Sequence, residues 1–187
     1  MEENNTNYPQ KPMSEITKSC FEWLEAIVVS LVVAIFVLTF LFRTVNVSGV
    51  SMMDTLLDKD RIVITNMLYT PKTGDVVVIS HGEIYQEPIV KRVIATEGQT
   101  LDINFQTGTV TVDGKVLDEP YIKNLTTRQG DGVIPSVIPE GYIFVMGDNR
   151  NRSLDSRSKE VGLIDKNNVL GKVQYIIYPF SRMGGVR

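Results

Sequence analysis

The stretch LDINFQTGTVTVDGKVL, residues 101–117, alternates apolar and polar side chains and contains two turn signals. Thr107-Gly108 separates the first alternating run from the second, and Asp113-Gly114 separates the second from the third. Such glycine pairs are typical of β-hairpins, because glycine accepts the positive φ that a tight hairpin turn requires. The stretch therefore predicts two consecutive hairpins.

The sequence on both sides continues this strand pattern. Short runs that are rich in β-branched residues and bounded by glycine or proline indicate strands. Five more runs fit this description: RIVITN (61–66), GDVVVIS (74–80), EPIVKRVIAT (87–96), GYIFVMGDN (141–149) and GKVQYIIYPF (171–180). The segment 121–139 lacks a period, and we expect an ordered but irregular loop there. Together these runs predict a mostly β domain of many short strands.

The pattern changes upstream of this domain. Residues 26–42 contain no charged side chain. Extended back to Phe21, the run would form a helix about 33 Å long, enough for a hydrocarbon core of about 30 Å. We therefore predict three parts: an N-terminal tail at 1–20, a transmembrane helix at 21–42 and a β domain at 43–187.

Two other interpretations of the apolar run fit less well. A buried core helix would need a larger body to surround it, and a cleaved secretory signal usually has a shorter apolar region of about 7–15 residues. Lys11 and Lys18 precede the run and Arg43 follows it. Because positive charge collects on the cytoplasmic side, this favours a cytoplasmic N-terminus and an extracytoplasmic domain in a single-pass membrane protein.

Composition excludes several function classes. The 187 residues carry a net charge of −3, which offers no basic field for nucleic acid. The chain has one cysteine, Cys20, and one histidine, His81, so an internal disulfide and a multi-cysteine zinc site are excluded. Carboxylates could still hold a hard cation. We expect no cofactor, no metal and no nucleic-acid partner.

A serine acts as a nucleophile only if a base removes its proton. Ser51, in SGVSMMDTL (48–56), follows the apolar run closely, and two residues could supply the base. His81 is one, although a histidine in a turn after a strand is more often a solvated surface residue. Lys91 is the other, and it would have to be buried, because an ordinary lysine titrates near about 10.4.

Alternation along 87–96 places Lys91 on the same face as Ile89 and Val93, with Arg92 on the opposite face. If the first face is interior, we expect Lys91 to lose its water and Arg92 to reach solvent. A solvent-facing Lys91 on an edge strand fits the pattern equally well. The periodicity alone does not decide between them.

A third segment, MGDNRNRSLDSR (146–157), is dense in side chains that hydrogen-bond their own backbone. This density predicts a structured loop, in which Asp155 and Arg157 could form a stiffening ion pair. A solvated polar loop is the alternative.

In this order and behind an N-terminal apolar helix, the segments resemble those of bacterial type I signal peptidases, also called leader peptidases. The nucleophile, strand, lysine and loop motifs of that family correspond to SGVSMMDTL, TGDVVVI, VKRVIATEGQT and MGDNRNRSLDSR. The resemblance implies a membrane-anchored serine endopeptidase with a signal-peptidase-like β fold. Its partners would be signal peptides of exported preproteins and the lipid bilayer, and it would cut after Ala-x-Ala-like sites.

The resemblance also implies roles for individual residues. Ser51 would be the nucleophile and its N–H an oxyanion donor, Lys91 would be the general base, and Ser153 would hold the Lys91 amine by a hydrogen bond. The remaining residues would support or bind: Asp155 and Arg157 as an ion pair, Gly147, Asp148 and Asn149 as the turn of the loop, and Gly49 and Met52 at the substrate groove.

Three departures from the family pattern stand out. Asp54 replaces a proline, and a carboxylate near Lys91 would raise the pKa of that lysine, so Asp54 must point away, for example by capping the turn at 55–57. Gly49 lacks the hydroxyl that some members place beside the nucleophile. Asn151 and Arg152 replace Asp and Asn and make the loop more basic.

Two further functions remain open. Because of Asp54, the chain could instead be an inactive, membrane-anchored homologue that binds signal peptides without cutting them. A self-cleaving regulator like the repressors of the SOS response shares the dyad and a β-rich fold, but those proteins are soluble and carry a DNA-binding segment. The sequence does not identify the preproteins or the oligomeric state.

Overall fold

The computed structural model describes residues 15–41, 43–67, 69–80 and 87–186. His81, one of the two candidate bases, lies outside the described residues. The chain divides into two compact units, residues 1–40 and residues 41–187. The first contains a long helix and the second contains the strands.

Helix α1 spans Glu15–Leu41 and begins upstream of the predicted start at residue 21. Glutamate and lysine are good helix formers, so the polar residues between Glu15 and Glu25 extend the helix without being apolar. An 18-residue window within Glu15–Phe36 has a mean hydropathy of 2.0, and none of it is buried. A buried core helix is therefore excluded. In the described part of the chain, α1 is the one helix long and apolar enough to cross a membrane.

The second unit consists of two antiparallel sheets. The larger has eight strands in the order β1-β2-β10-β3-β4-β8-β9, with β11 also paired to β10, and the smaller has the order β5-β6-β7. The strands are β1 (Arg43–Asn46), β2 (Arg61–Thr65), β3 (Val76–Ile79), β4 (Ile89–Thr96), β5 (Leu101–Asn104), β6 (Thr109–Val112), β7 (Lys115–Val116), β8 (Tyr142–Met146), β9 (Ile164–Asp165), β10 (Val169–Tyr178) and β11 (Gly184–Gly185). Short 3₁₀ turns occur at Arg150–Arg152, Lys166–Asn168 and Phe180–Arg182.

The mostly β fold predicted from the sequence is confirmed. Strands β5, β6 and β7 form the two predicted hairpins, and Asp113 and Gly114 have φ of 51° and 73°, as a tight turn between β6 and β7 requires. The five other predicted runs correspond to β2, β3, β4, β8 and β10, although β10 begins two residues before its predicted run. Strands β1, β9 and β11 were not predicted, since they span only two to four residues and carry no clear alternation.

Strand β4 lies between β3 and β8 near the middle of the large sheet, and six of its eight residues are buried. Its two faces contribute to different hydrophobic clusters: Val93 packs with Val77 and Val145, whereas Ile94 packs with residues such as Phe144. The expectation that Arg92 reaches solvent is therefore wrong, because both faces of this strand are covered.

The segment 121–139 is irregular, as predicted, and is fastened to the sheet rather than loose. The Ile138 N–H donates to the Gln99 carbonyl at 2.9 Å, and the Gly98 N–H donates to the Ile138 carbonyl at 2.8 Å. The side chains of Ile138 and Thr126 are buried. The loop is thus part of the folded unit.

Phe144→Ala tests whether the cluster beneath β8 stabilises the fold. Phe144 is fully buried, and we expect the substitution to lower the free energy of unfolding by about 3–5 kcal/mol. Tyr142→Ala, two residues away on the same strand and 39% exposed, removes a similar ring and should cost clearly less. Urea unfolding of the full chain in detergent measures both, and equal losses would contradict this packing.

Candidate active site

Ser51 lies in a compact turn between β1 and β2. Two apolar side chains of this turn, Met52 and Leu56, are buried in the core together with Val47. The Leu56 N–H donates to the Met52 carbonyl at 2.9 Å, which closes the turn. Met52 is 2% exposed and anchors the turn from below, so the expectation that it lies beside the substrate groove needs correction.

Lys91 lies on β4 and reaches the same point. Its Nζ donates to Ser51 Oγ at 2.9 Å and to the Val90 carbonyl at 2.9 Å. The side chain is almost fully enclosed, with Lys91 4% exposed. The two residues are 40 positions apart in sequence, and the sheet brings an amine and a hydroxyl within hydrogen-bond distance.

Burial lowers the pKa of Lys91 from 10.5 to about 8, because the charged ammonium loses its hydration. The carboxylates of Asp155 and Asp148 act in the opposite direction and raise this pKa. Each of them is itself bonded to an arginine, Arg157 and Arg92 respectively. Desolvation therefore outweighs the nearby negative charge.

The segment 146–157 is held by three buried arginines. Arg92 binds both carboxylate oxygens of Asp148, at 2.8 and 2.7 Å. Arg157 does the same with Asp155, at 2.8 Å to each oxygen, in the ion pair expected from the sequence. The third arginine, Arg150, binds Glu119 at 3.0 and 2.7 Å. The segment is thus a rigid loop and not a solvated one.

The first and third of these ion pairs were not predicted. Asp148 and Arg92 are 56 positions apart, and Glu119 and Arg150 are 31 positions apart. The side chain of Tyr121 lies at both pairs, with the Arg92 guanidinium 3.8 Å from its ring centroid. Mainly because it is buried, Tyr121 has a pKa raised to about 12. Its ring therefore stacks on the Arg92 guanidinium as a neutral phenol.

Two residues of this loop lie directly against the turn that carries Ser51. The Asn149 N–H donates to the Ser51 carbonyl at 2.9 Å, and the Asn149 side-chain amide donates to the Val50 carbonyl at 3.0 Å. A Cβ on Gly147 would lie 2.5 Å from the Ser51 carbonyl oxygen and closer still to Ser153 Oγ. Only glycine permits this approach.

The Ser51 N–H donates to no acceptor within the described residues. A backbone N–H without an acceptor can donate a hydrogen bond to an oxyanion. Ser153 was expected to hold the Lys91 amine, and the structure differs. Its hydroxyl is buried beside Gly147 and lies near the Asp155 carboxylate, whereas the Lys91 amine bonds to Ser51 and Val90.

An open groove of about 520 Å³ runs past Ser51 and Lys91. Gly49 lines it, as expected, but its N–H is occupied by Asp58 Oδ1 at 2.9 Å. Thus Gly49 shapes the groove without a free backbone donor. The groove walls are mostly apolar and come from β1, the turn that carries Ser51, β4 with the two residues before it, the loop 146–157 and Val161.

Asp54 points away from the lysine. Its side chain is 67% exposed and its Oδ1 lies 3.8 Å from Lys123 Nζ. It does not cap the following turn, because the Leu57 N–H is bound by Asp60 Oδ2 at 2.8 Å. Asp54 is also absent from the charges that shift the pKa of Lys91.

Comparison with known proteins agrees with this geometry. The family described as "Signal peptidase, peptidase S26" matches residues 20–178. This chain belongs to that family. It is therefore related to peptidases, hydrolases that process signal peptides.

Several relatives match over nearly their whole length. Signal peptidase I of Bacillus licheniformis is 39% identical over 175 residues, which is 88% of this chain and 92% of the relative. Signal peptidase I T of Bacillus subtilis (strain 168) is 36% identical over 192 residues, 97% of each chain. A crystal structure of a signal peptidase I from Enterococcus faecalis V583 is 25% identical with a TM-score of 0.47, covering 57% of this chain and 98% of that one.

Substitutions at Arg92 and Asp148 test how much their buried ion pair stabilises the folded chain. In Arg92→Met the buried carboxylate of Asp148 loses its counter-ion, and we expect the free energy of unfolding to fall by about 3–5 kcal/mol. Adding Asp148→Asn should recover part of this loss. Lys123→Met, which breaks the exposed pair with Asp54, should cost less than about 1 kcal/mol in the same urea unfolding measurement. Similar losses in both single variants would contradict the buried pair's role.

Proposed function

We propose that this chain is a membrane-anchored signal peptidase I in which Ser51 is the nucleophile and Lys91 the general base. It would remove signal peptides from exported preproteins by cutting after small residues at Ala-x-Ala-like sites. The observation that carries the proposal is the 2.9 Å contact between Lys91 Nζ and Ser51 Oγ, made by an amine whose pKa burial lowers to about 8.

The chemistry follows from these groups. Neutral Lys91 accepts the proton of the Ser51 hydroxyl as Oγ attacks the carbonyl carbon of the scissile peptide bond. The free Ser51 N–H donates to the developing oxyanion. Lys91 then passes the proton to the departing amine, and the acyl-enzyme forms. A water that gives its proton to Lys91 attacks the ester and restores the Ser51 hydroxyl, releasing the signal peptide.

The groove supplies the substrate's path. Val45 and Asn46 of β1 line it, and β1 is an outer strand of the large sheet, with one of its sides unpaired in the described structure. An extended substrate can add its backbone to such an edge, which leaves alternate side chains facing the groove wall. Small side chains at the first and third positions before the cut fit this arrangement.

Helix α1 supports the membrane assignment. Its exposed apolar side chains suit contact with lipid, and we place the short segment before it in the cytoplasm and residues 43–187 outside the cytoplasmic membrane. The partners are then the signal peptide and the lipid bilayer. A nucleophile only a few residues beyond the apolar run would meet peptide bonds near the membrane surface, where signal peptides emerge.

An inactive homologue that binds signal peptides was kept open because of Asp54. The orientation of Asp54 toward solvent and Lys123 removes the reason for that alternative. The cleavage assay below decides between the two functions, since a binding protein would retain the peptide uncut.

Alanine substitution tests the proposed roles. The detergent-solubilised chain should cleave a peptide that spans an Ala-x-Ala site. We expect Ser51→Ala to abolish cleavage and Lys91→Ala to lower kcat/KM by about 10²–10⁴-fold or more, because the general base is removed. Ser181→Ala and Lys115→Ala, at exposed positions away from the groove, are matched controls and should retain full rate. Undiminished cleavage by either active-site variant would refute its assigned role.

A pH profile tests the protonation state of Lys91. A general base works when deprotonated, so kcat/KM should rise with pH, reach half its plateau near pH 8 and fall about tenfold per pH unit below that. Asp54→Asn should leave this midpoint unmoved, since the carboxylate is exposed and remote from the amine. A limb that rises only near the ordinary lysine pKa would show that burial does not lower the pKa.

A further inference from the structure

Arg152 is a charged residue of the groove for which the proposed catalytic steps have no use. It stands in the 3₁₀ turn Arg150–Arg152, is exposed, and lines the groove that contains Ser51 and Lys91. Within the described residues its guanidinium has no ion-pair or hydrogen-bond partner. A free guanidinium beside a nucleophile can bind a group of the substrate.

The neighbours of Arg152 show that its orientation is built into the loop. Arg150 points inward to Glu119 and Thr126. Asn151 faces the irregular segment, where its side chain accepts from the Arg128 N–H and donates to the Leu125 carbonyl, both at 3.3 Å. Consecutive residues of this turn therefore point in different directions, and the third is left at the groove.

The groove otherwise offers little positive charge to a substrate. Among the described residues that line it, three are ionisable: Glu87, Lys91 and Arg152. Lys91 is enclosed and carries the proposed proton transfer, while Glu87 is exposed and negative. Arg152 is thus the accessible cation in this set. A guanidinium donates two parallel hydrogen bonds to the two oxygens of a carboxylate. A substrate lysine or amide side chain cannot accept such a pair of bonds.

The turn that carries Arg152 is tied to the nucleophile. The Arg152 N–H donates to the Asn149 carbonyl at 2.9 Å, and the Asn149 N–H donates to the Ser51 carbonyl at 2.9 Å. An extended substrate advances about 3.3 Å per residue, so an arginine at this place reaches substrate residues within a few positions of the cut. The first and third positions before the cut take small side chains. The positions that Arg152 could contact are therefore the second residue before the cut and the first residues after it.

We propose that Arg152 is a specificity-determining residue that favours preproteins with an acidic side chain next to the cleavage site. This rests on the proposed function, because it assumes that the groove holds the substrate of Ser51. The carboxylate would pair with the Arg152 guanidinium at the groove rim. A lysine in the same substrate position would be repelled.

The test uses the full chain in non-ionic detergent and peptides that differ only in Asp or Lys at the second position before the cut or the first three after it. We expect kcat/KM to favour Asp over Lys by about threefold to tenfold in at least one position. Arg152→Asn should bring this ratio close to one, and Arg152→Glu should invert it. Because each ratio is taken within one variant, differences in the amount of folded enzyme cancel.

Two controls sharpen the result. Lys115→Glu changes the net charge by the same amount as Arg152→Glu, but on the small sheet and away from the groove. This variant should keep the wild-type ratio of kcat/KM for the Asp peptide over the Lys peptide. The wild-type ratio should shrink in about 0.5 M salt, since exposed charge pairs are screened.

The outcomes separate this inference from the proposed function. Cleavage that depends on Ser51 with a ratio near one at every position overturns the role of Arg152 and leaves the peptidase assignment intact. No cleavage of any peptide overturns both. A ratio near one, combined with weaker binding of Arg152→Glu to phosphatidylglycerol vesicles than of Lys115→Glu, would overturn substrate selection and assign Arg152 to the lipid surface.

Discussion

The removal of water from the Lys91 amine is the constraint on which the site depends. A pKa of about 8 against 10.5 means that folding at neutral pH carries a cost of roughly 3 kcal/mol for this one group. The cost is full below about pH 8 and disappears as the pH rises through 10.5, because the unfolded chain holds the proton more tightly. Strand β4 can bear it, since clusters of apolar side chains pack on both of its faces.

The same lysine limits how the neighbouring loop can be built. Asp148 and Asp155 hold that loop, yet both carboxylates raise the pKa of Lys91. Pairing them with Arg92 and Arg157 supplies compensating charge within hydrogen-bond distance. Buried ion pairs contribute little net stability compared with apolar packing. Their presence here is better explained by the need for a rigid polar loop that still lets burial lower the pKa of Lys91.

Sequence patterns predicted the parts of this fold that form between residues close together in the chain. The two hairpins follow from glycine turns within 17 residues, and the burial of Lys91 was one of two outcomes that alternation allowed. Alternation failed for Arg92, because it assumes one wet face and β4 is covered on both. The pairing of Arg150 with Glu119 was invisible, since it crosses an irregular segment that has no period. The buried position of Met52 and the position of the Ser153 hydroxyl beside Gly147 likewise depend on packing that alternation does not show.

In the loop 146–157, buried arginines keep the backbone rigid, and a different, exposed arginine faces the groove. Arg150 and Arg157 are buried, so replacing either would leave a carboxylate without its counter-ion. The carboxylate paired with Arg157, Asp155, is also one of those that raise the pKa of Lys91. Arg152 is exposed, and solvent screens its charge from the enclosed amine. On the proposed mechanism, a change at this position can therefore alter which substrates enter the groove without shifting the proton affinity of Lys91. Rigidity is confined to the inward-facing side chains of the turn, and selectivity can reside in the outward-facing one.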